Sequence, residues 1–513
     1  FFMAKANIIF SDFPDVDVIR VGNVYYMIST TMHFFPSCAI LQSFNLVDWE
    51  IINYVSAELD GTSGQRLQDG QGIYGKGMWA GTLRYHNGIF YVAFVCNDTQ
   101  KTYLFKTSDI RGNWEKSEIQ GFYHDLSLLF DEDRVFMVSG NTNIRLVELN
   151  DDLSGPKEGG IDKIIISDKS ERILGYEGSH FYKINGKYYV FLIHWPKGGM
   201  RSEACFVSDQ IDGEYSGCDV LHSDFMDWKS GVAQGGIVDD GKGNWYGILF
   251  QDHGAMGRMP VLVPVSFDSD FPVFGIEGKV PLNIQTIDLN PNYKYKPLFC
   301  NDFLDSNGKI NLCWQWNHIP DFNFCNFPAK NEYVIQSNSV VKNPLLAKNT
   351  LTQRAFTHHC AAKVLVDFSS IKNGDFAGLC ALQGGYAFIG ITKENDDFYL
   401  VVAQRKTEVE KWKIGSVDND KPEIVWKKPV CSFVKNNFVT LQLEFQFSPN
   451  GDFAYFSYFD EAKNDFVQVD FCKSLFFTLD QFVGVRFALF YYSTIQSEVG
   501  GSVTFKDFEY VVL

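Results

Sequence analysis

One pattern recurs five times in the first half of this 513-residue chain: a tight turn, then at once a strand that opens on aromatic residues. Gly22-Asn23 leads into Tyr25-Tyr26, and Asn87-Gly88 into Phe90-Tyr91. Asp131 to Asp133 lead into Val135-Phe136, Asn185-Gly186 into Tyr188-Tyr189, and Gly241 to Gly243 into Trp245-Tyr246. Turn residues set between two apolar runs are a hairpin signal. The second residue of each pair falls at 26, 91, 136, 189 and 246, with gaps of 65, 45, 53 and 57. Four short strands with their turns take about 40–45 residues, and loops lengthen that. Five such units predict a five-bladed β-propeller. No stretch carries a strong helical period, which disfavours an α/β alternation.

Composition supports an all-β globular chain. Aromatic residues make up 16%, which favours strands, and hydrophobic residues make up 45%, enough for a sizeable core. Lys and Arg number 45 against 62 Asp and Glu, a net charge of −17. A field of that sign repels nucleic acid and anionic membrane and suits a neutral substrate. No apolar run reaches the roughly 18 residues of a membrane-spanning helix. The 11 cysteines are odd in number and include no C-x-x-C pair, which argues against a disulfide framework or a structural zinc site. That usage, with no visible signal peptide, points to the cytoplasm, unless a signal was removed from a secreted form.

Eleven or twelve residues before the five hairpin aromatics stand Asp15, Trp79, Asp125, Glu177 and Gln234. Equivalent positions in a radial repeat face the same axis, so five blades would bring these side chains to one funnel. Three carboxylates there suggest a reaction. Hydrolysis of a glycoside needs one carboxylic acid to protonate the leaving oxygen and one carboxylate to activate water. Like charges held close push their pKa values apart, so a third acid can keep the proton donor protonated near neutral pH. That is a complete set for an inverting hydrolase.

At these residues the chain resembles glycoside hydrolase family 43, five-bladed propeller enzymes that include β-xylosidases and α-L-arabinofuranosidases. Phe13-Pro14-Asp15-Val16-Asp17-Val18-Ile19-Arg20 is similar to the family segment P-D-P-x-V-I-R, whose first Asp is the general base; the resemblance gives that role to Asp15, with Asp17 a lower-ranked rival. His124-Asp125-Leu126 resembles H-D-P, whose Asp orients the acid and raises its pKa, and Tyr176-Glu177-Gly178-Ser179-His180 resembles E-G-x-H, whose Glu is the general acid. The resemblance therefore implies Asp125 as modulator and Glu177 as acid. Met78-Trp79-Ala80-Gly81 is similar to W-A-P and marks Trp79 as a wall of the sugar pocket. Phe34 follows the first hairpin, where similar enzymes offer an aromatic ring to the bound pentose, and Trp195 is a weaker loop candidate. Gln234 joins the substrate-binding set as the fifth axial position. In Phe250 to Arg258 the resemblance implies that Arg258 hydrogen-bonds sugar hydroxyls. It also places His253 where some relatives hold Ca2+ through waters. No cluster of Asp ligands supports an all-protein calcium cage, and no organic cofactor is expected.

Composition changes over the proline-bracketed stretch Pro291 to Pro297, which sets a propeller at 1–290, a linker at about 285–300 and a second domain at 300–513. Beyond the linker, apolar and polar residues alternate between turns such as Ser306-Asn307-Gly308, Lys372-Asn373-Gly374-Asp375 and Pro449-Asn450-Gly451-Asp452. That pattern predicts a β-sandwich of jelly-roll or concanavalin-like type. Asn349 to Arg354 and Gly374 to Leu379 resemble the carboxy-terminal sandwich of family 43 xylosidases. The expected activity is exo-acting release of terminal pentoses from xylo-oligosaccharides or arabinoxylan. A homo-oligomer is compatible with such a chain. An endo-acting xylanase or arabinanase is one rival. A non-catalytic carbohydrate-binding propeller is another, and it predicts an amide or apolar residue at one of three positions that are all acidic here.

Overall fold

The computed structural model describes residues 2–6, 8–415 and 417–513. Its first half holds five four-stranded antiparallel sheets, each built from strands in chain order, with blade one passing over the short strand Phe34–Phe35. The innermost strands are Asp17–Val21, Met78–His86, Ser127–Asp131, Arg172–Ile184 and Ala233–Asp239. Each touches the next, and the fifth touches the first, so they close a ring around one axis. The hairpin aromatics Tyr26, Tyr91, Phe136, Tyr189 and Tyr246 all lie on the second strand of a blade. The ring is a five-bladed propeller, as the repeat predicts.

Below the funnel the axis is filled by Arg84. Its guanidinium donates to Asp17 Oδ2 at 2.8 Å, Leu83 O at 2.6 Å, Leu128 O at 2.7 Å, Ser127 Oγ at 2.8 Å and Phe181 O at 3.2 Å. One side chain thus ties the innermost strands of four blades. Asp17 is buried, and Oδ2 also accepts the Leu83 amide at 2.7 Å. The rival Asp17 is therefore half of an axial ion pair. The fifth blade meets the first through Arg20, whose Nη2 lies 2.8 Å from Asp239 Oδ2.

The second half is a sandwich of an eight-stranded and a seven-stranded sheet over a large apolar core. The eight-stranded sheet has an edge strand from the propeller: Phe34–Phe35 pairs with Gln315–Asn317, with Trp316 opposite Phe35 and Asn317 opposite Phe34. Tyr293 and Tyr295 of the connecting segment pack around Phe44 of blade one, and the Phe44 amide donates to Tyr295 Oη at 2.9 Å.

Removing one member of a buried, multiply hydrogen-bonded ion pair costs about 3–5 kcal/mol. Arg84→Met is expected to lower the unfolding free energy by that order. Urea unfolding measures it, and a loss below about 1 kcal/mol, the worth of a surface pair, would contradict the axial role.

Candidate active site

Register explains how the funnel side chains turn inward. In blades one, three and five, the strand residues opposite the hairpin aromatics are Ile19, Leu129 and Val238. Asp15, Asp125 and Gln234 each stand four residues earlier, and all three adopt left-handed backbone, with φ of 53°, 50° and 62°. In blades two and four the opposing residues are Arg84 and Tyr182. Four residues before Tyr182 is Gly178, again left-handed at φ 65°, so Glu177 sits one position further out, as does Trp79 in blade two. The sequence offset of eleven or twelve residues therefore mixes two positions, because it runs across hairpin turns of which the fifth is one residue longer. Bulges in the innermost strands of blades two, four and five break the ladder at the same level, a device that re-aims side chains.

Asp15, Asp125 and Glu177 come together and feel one another's charge. Glu177 Oε2 faces His124 Nε2 at 3.1 Å and accepts from Asn141 Nδ2 at 2.5 Å. The same His124 nitrogen lies 3.4 Å from Asp125 Oδ2, and the donor atoms of His124, Asp125 and Glu177 all fall within 4.8 Å of one another. Asp125 Oδ2 also accepts the Gly178 amide at 2.9 Å, gripping the backbone just after Glu177. Glycine is required there, since a Cβ at 178 would stand 2.6 Å from Gln234 Cγ. Glu177 is the most accessible of the three, its side chain 19% exposed against 7% for Asp15 and 6% for Asp125.

Asp15 Oδ1 takes two donors, Gln234 Nε2 at 2.9 Å and Arg258 Nη1 at 3.0 Å. Burial raises its pKa above the usual carboxylate range, and the Arg258 guanidinium pulls against that rise. Burial also pushes Asp125 up to about 7, opposed by His124 and reinforced by Glu177 and Asp15. Burial works against a charged His124, yet Asp125 and Glu177 outweigh it and lift the ring to about 9. At neutral pH an imidazolium therefore lies between two carboxyl groups.

The sandwich supplies one wall. Its segment after Leu475 brings Phe482 to the funnel, where the ring stacks on Trp79 at 5.6 Å and lies 4.8 Å from the Arg258 guanidinium carbon. Trp79 meets His124 edge-on at 5.7 Å. The segment is held by Arg258 Nη2 on Phe482 O, by the Gly484 amide on Asp12 Oδ2 at 2.8 Å and by the Val485 amide on Ala255 O at 2.8 Å.

Two expected ligands stand elsewhere. Phe34 is fully buried in the propeller–sandwich junction with the Arg486 guanidinium carbon 3.5 Å from its ring centre, so it offers no face to a sugar. Its strand pairing with residues far along the chain draws it there. His253 is fully buried, with Trp228 tilted against its ring at 4.3 Å and the His358 ring 5.5 Å away. Its Nε2 faces Gln251 Oε1 at 3.0 Å and its Nδ1 faces His358 Nε2 at 3.2 Å. The Gln251 amide nitrogen is ringed by three acceptors, Asp224 Oδ1, Phe225 O and Ser230 O, which its two N–H groups share, so Oε1 accepts from His253 Nε2–H. The remaining Nδ1 lone pair then takes the His358 proton, and no lone pair is left for calcium. Both ring nitrogens are thus engaged within the protein, which does not fit direct coordination of a metal by His253. Trp195 lines a separate hollow of about 380 Å³ with Arg201 over its ring.

Paired carboxyl groups around the axis of a five-bladed propeller, one of them accessible and one held beside an arginine, mark the chain as a glycoside hydrolase. The family described as Glycosyl hydrolases family 43 matches residues 5–272, and the Beta xylosidase C-terminal Concanavalin A-like domain matches residues 300–511. The chain belongs to glycoside hydrolase family 43. A putative beta-xylosidase of Xylanibacter ruminicola is 26% identical over 416 residues, 74% of this chain and 72% of the relative. A beta-xylosidase of Formosa agariphila is 26% identical over 464 residues, 77% of this chain and 76% of the relative. A solved structure described as a bifunctional GH43-CE protein of Bacteroides eggerthii matches 99% of this chain with a TM-score of 0.88 and 35% identity; the chain spans 63% of that protein.

The raised Asp125 sets a test with a definite sign. A carboxyl whose folded pKa is raised lends stability in full below its unfolded value of about 3.9 and loses it as pH rises through the folded value, here about 7. Asp125→Asn keeps an acceptor for the Gly178 amide without the buried charge. Its melting temperature is expected to gain on the wild type between pH 5 and pH 8.5 while activity falls. A difference constant with pH would contradict the assignment.

Proposed function

We propose that this enzyme is an inverting exo-glycosidase that releases terminal pentoses, β-1,4-linked xylose or α-L-arabinofuranose, from xylo-oligosaccharides or arabinoxylan. The observation that carries the reading is the sandwich segment lying across the funnel, with Phe482 against Trp79 and Arg258. A funnel closed on one side accepts a chain end, whereas an open groove accepts a chain middle. The names of the two β-xylosidase relatives support the substrate class, and the net charge of −17 suits a neutral sugar.

In this mechanism Asp15 is the base. Gln234 and Arg258 favour its ionised form against burial, so it can take a proton from water attacking the anomeric carbon. Glu177, the most accessible carboxyl, gives its proton to the leaving oxygen. Asp125 does not touch the sugar. It fixes the backbone after Glu177 and, with His124, sets the charge around the acid. Trp79 and Phe482, stacked on each other, form the aromatic wall beside the terminal sugar in this reading, and Arg258 is the candidate donor to its hydroxyls. Binding energy concentrated on that one sugar acts where charge develops in the transition state.

General acid catalysis contributes about 10²–10⁴-fold. Glu177→Ala is expected to lose that much turnover on xylobiose and far less on nitrophenyl xyloside, whose leaving group needs no proton. Steady-state rates on the two substrates measure this, and equal losses would point to a structural role. In a time course on xylohexaose with products resolved by size, xylose and xylopentaose are expected first. Early xylobiose and xylotriose without monosaccharide would show internal attack.

A further inference from the structure

The base side of the funnel rests on a buried carboxyl that the reaction does not touch. Glu203 lies on the third strand of blade four, Ser202–Ser208, and is fully buried. It pairs with Ile193, which also pairs with Glu177, so the three stand in one row across the blade. Glu203 Oε2 accepts the backbone amide of Gln234, in the next blade, at 2.8 Å. Gln234 is the left-handed residue whose side chain holds Asp15. A non-glycine residue in that backbone region persists only where its surroundings impose it. The Glu203 hydrogen bond is such a constraint, made between blades.

We propose that Glu203 is a positioning residue for the general base, holding the Gln234 bulge so that its amide faces Asp15. This rests on the reading of Asp15 as base. The groups that face Asp15 are Gln234, Arg258, Thr30, Asp12, Glu177, Asp125 and His124, and Gln234 and Thr30 are the neutral donors among them. Glu203 itself faces the Gln234 backbone and feels Asp219. Burial pushes its carboxyl towards the neutral form, against the Gln234 and Gly235 amides, and its role towards Gln234 is that of an acceptor, which a glutamine side-chain carbonyl can also fill. Without an acceptor the Gln234 side chain leaves Asp15. The ionised base then loses one of its hydrogen bonds and becomes easier to protonate.

The experiment compares Glu203→Met, Glu203→Gln, Gln234→Ala, the Glu203→Met/Gln234→Ala double variant and Asp15→Ala, reading kcat and kcat/KM against pH together with Tm. Glu203→Met is expected to lower kcat about tenfold, the order expected for one lost hydrogen bond to a charged group, with KM little changed. Its acid limb of kcat/KM should move to higher pH, as in Gln234→Ala, while Glu203→Gln keeps the wild-type profile. The double variant should be no worse than Gln234→Ala alone. A Glu203→Met enzyme that melts earlier but keeps its acid limb, or losses that add in the double variant, would overturn the proposal. Should Glu203→Met fail to fold, an unmoved acid limb in Gln234→Ala, or a shifted one in Glu203→Gln, overturns it equally. Asp15→Ala with wild-type turnover would instead sink the base assignment. An inactive Asp15→Ala beside an unmoved limb in Glu203→Met would sink the positioning role alone.

Discussion

The Arg84 guanidinium at the propeller axis is the contact on which the rest of the structure depends. Five innermost strands meeting around a line bring backbone carbonyls close together with too little room for five large side chains. One planar cation with five donors resolves this. It serves carbonyls of blades two, three and four and the Ser127 hydroxyl, and its charge is balanced by Asp17 of blade one. Buried polar groups must be satisfied, and a buried arginine is tolerated only with such a set of partners.

The carboxyl groups face the funnel because the chain enters its innermost strands through left-handed residues. Asp15, Asp125 and Gln234 carry positive φ, as does Gly178, which adopts it without strain, and non-glycine residues held in this way collect at functional sites. The site also carries an electrostatic cost. Asp15 and Asp125 are both buried and both raised, so stability is given up to hold these carboxyl groups in the funnel. Arg258, His124 and the Gly178 amide offset part of it. The sandwich completes the enclosure, since Asp12 joins the propeller start, the Arg258 amide and the Gly484 amide.

Much of this is legible in sequence because a propeller repeats. Turn-plus-aromatic signals locate the second strand of every blade, and a fixed step back from each finds the funnel. The step is only accurate to a residue, because a turn of different length changes the count without changing the geometry. Contacts between distant segments leave no local signal. Phe34 reads as a pocket residue until its strand pairs with Gln315–Asn317. Phe482 reads as one phenylalanine among 47 until the sandwich segment is seen against Trp79. His253 reads as a metal ligand until His358, from the other domain, takes its second nitrogen. His124 was visible beside Asp125, but its bridging position between two carboxyl groups depends on blade four folding next to blade three.

The central claim is that Asp15 and Glu177 act on opposite faces of one sugar, with water between base and anomeric carbon. Proton NMR of the first-formed product of xylotetraose cleavage, followed before mutarotation, tests it most directly. The account predicts that α-xylose appears first from the β-linked substrate. β-Xylose appearing first would mean a covalent intermediate and would contradict it.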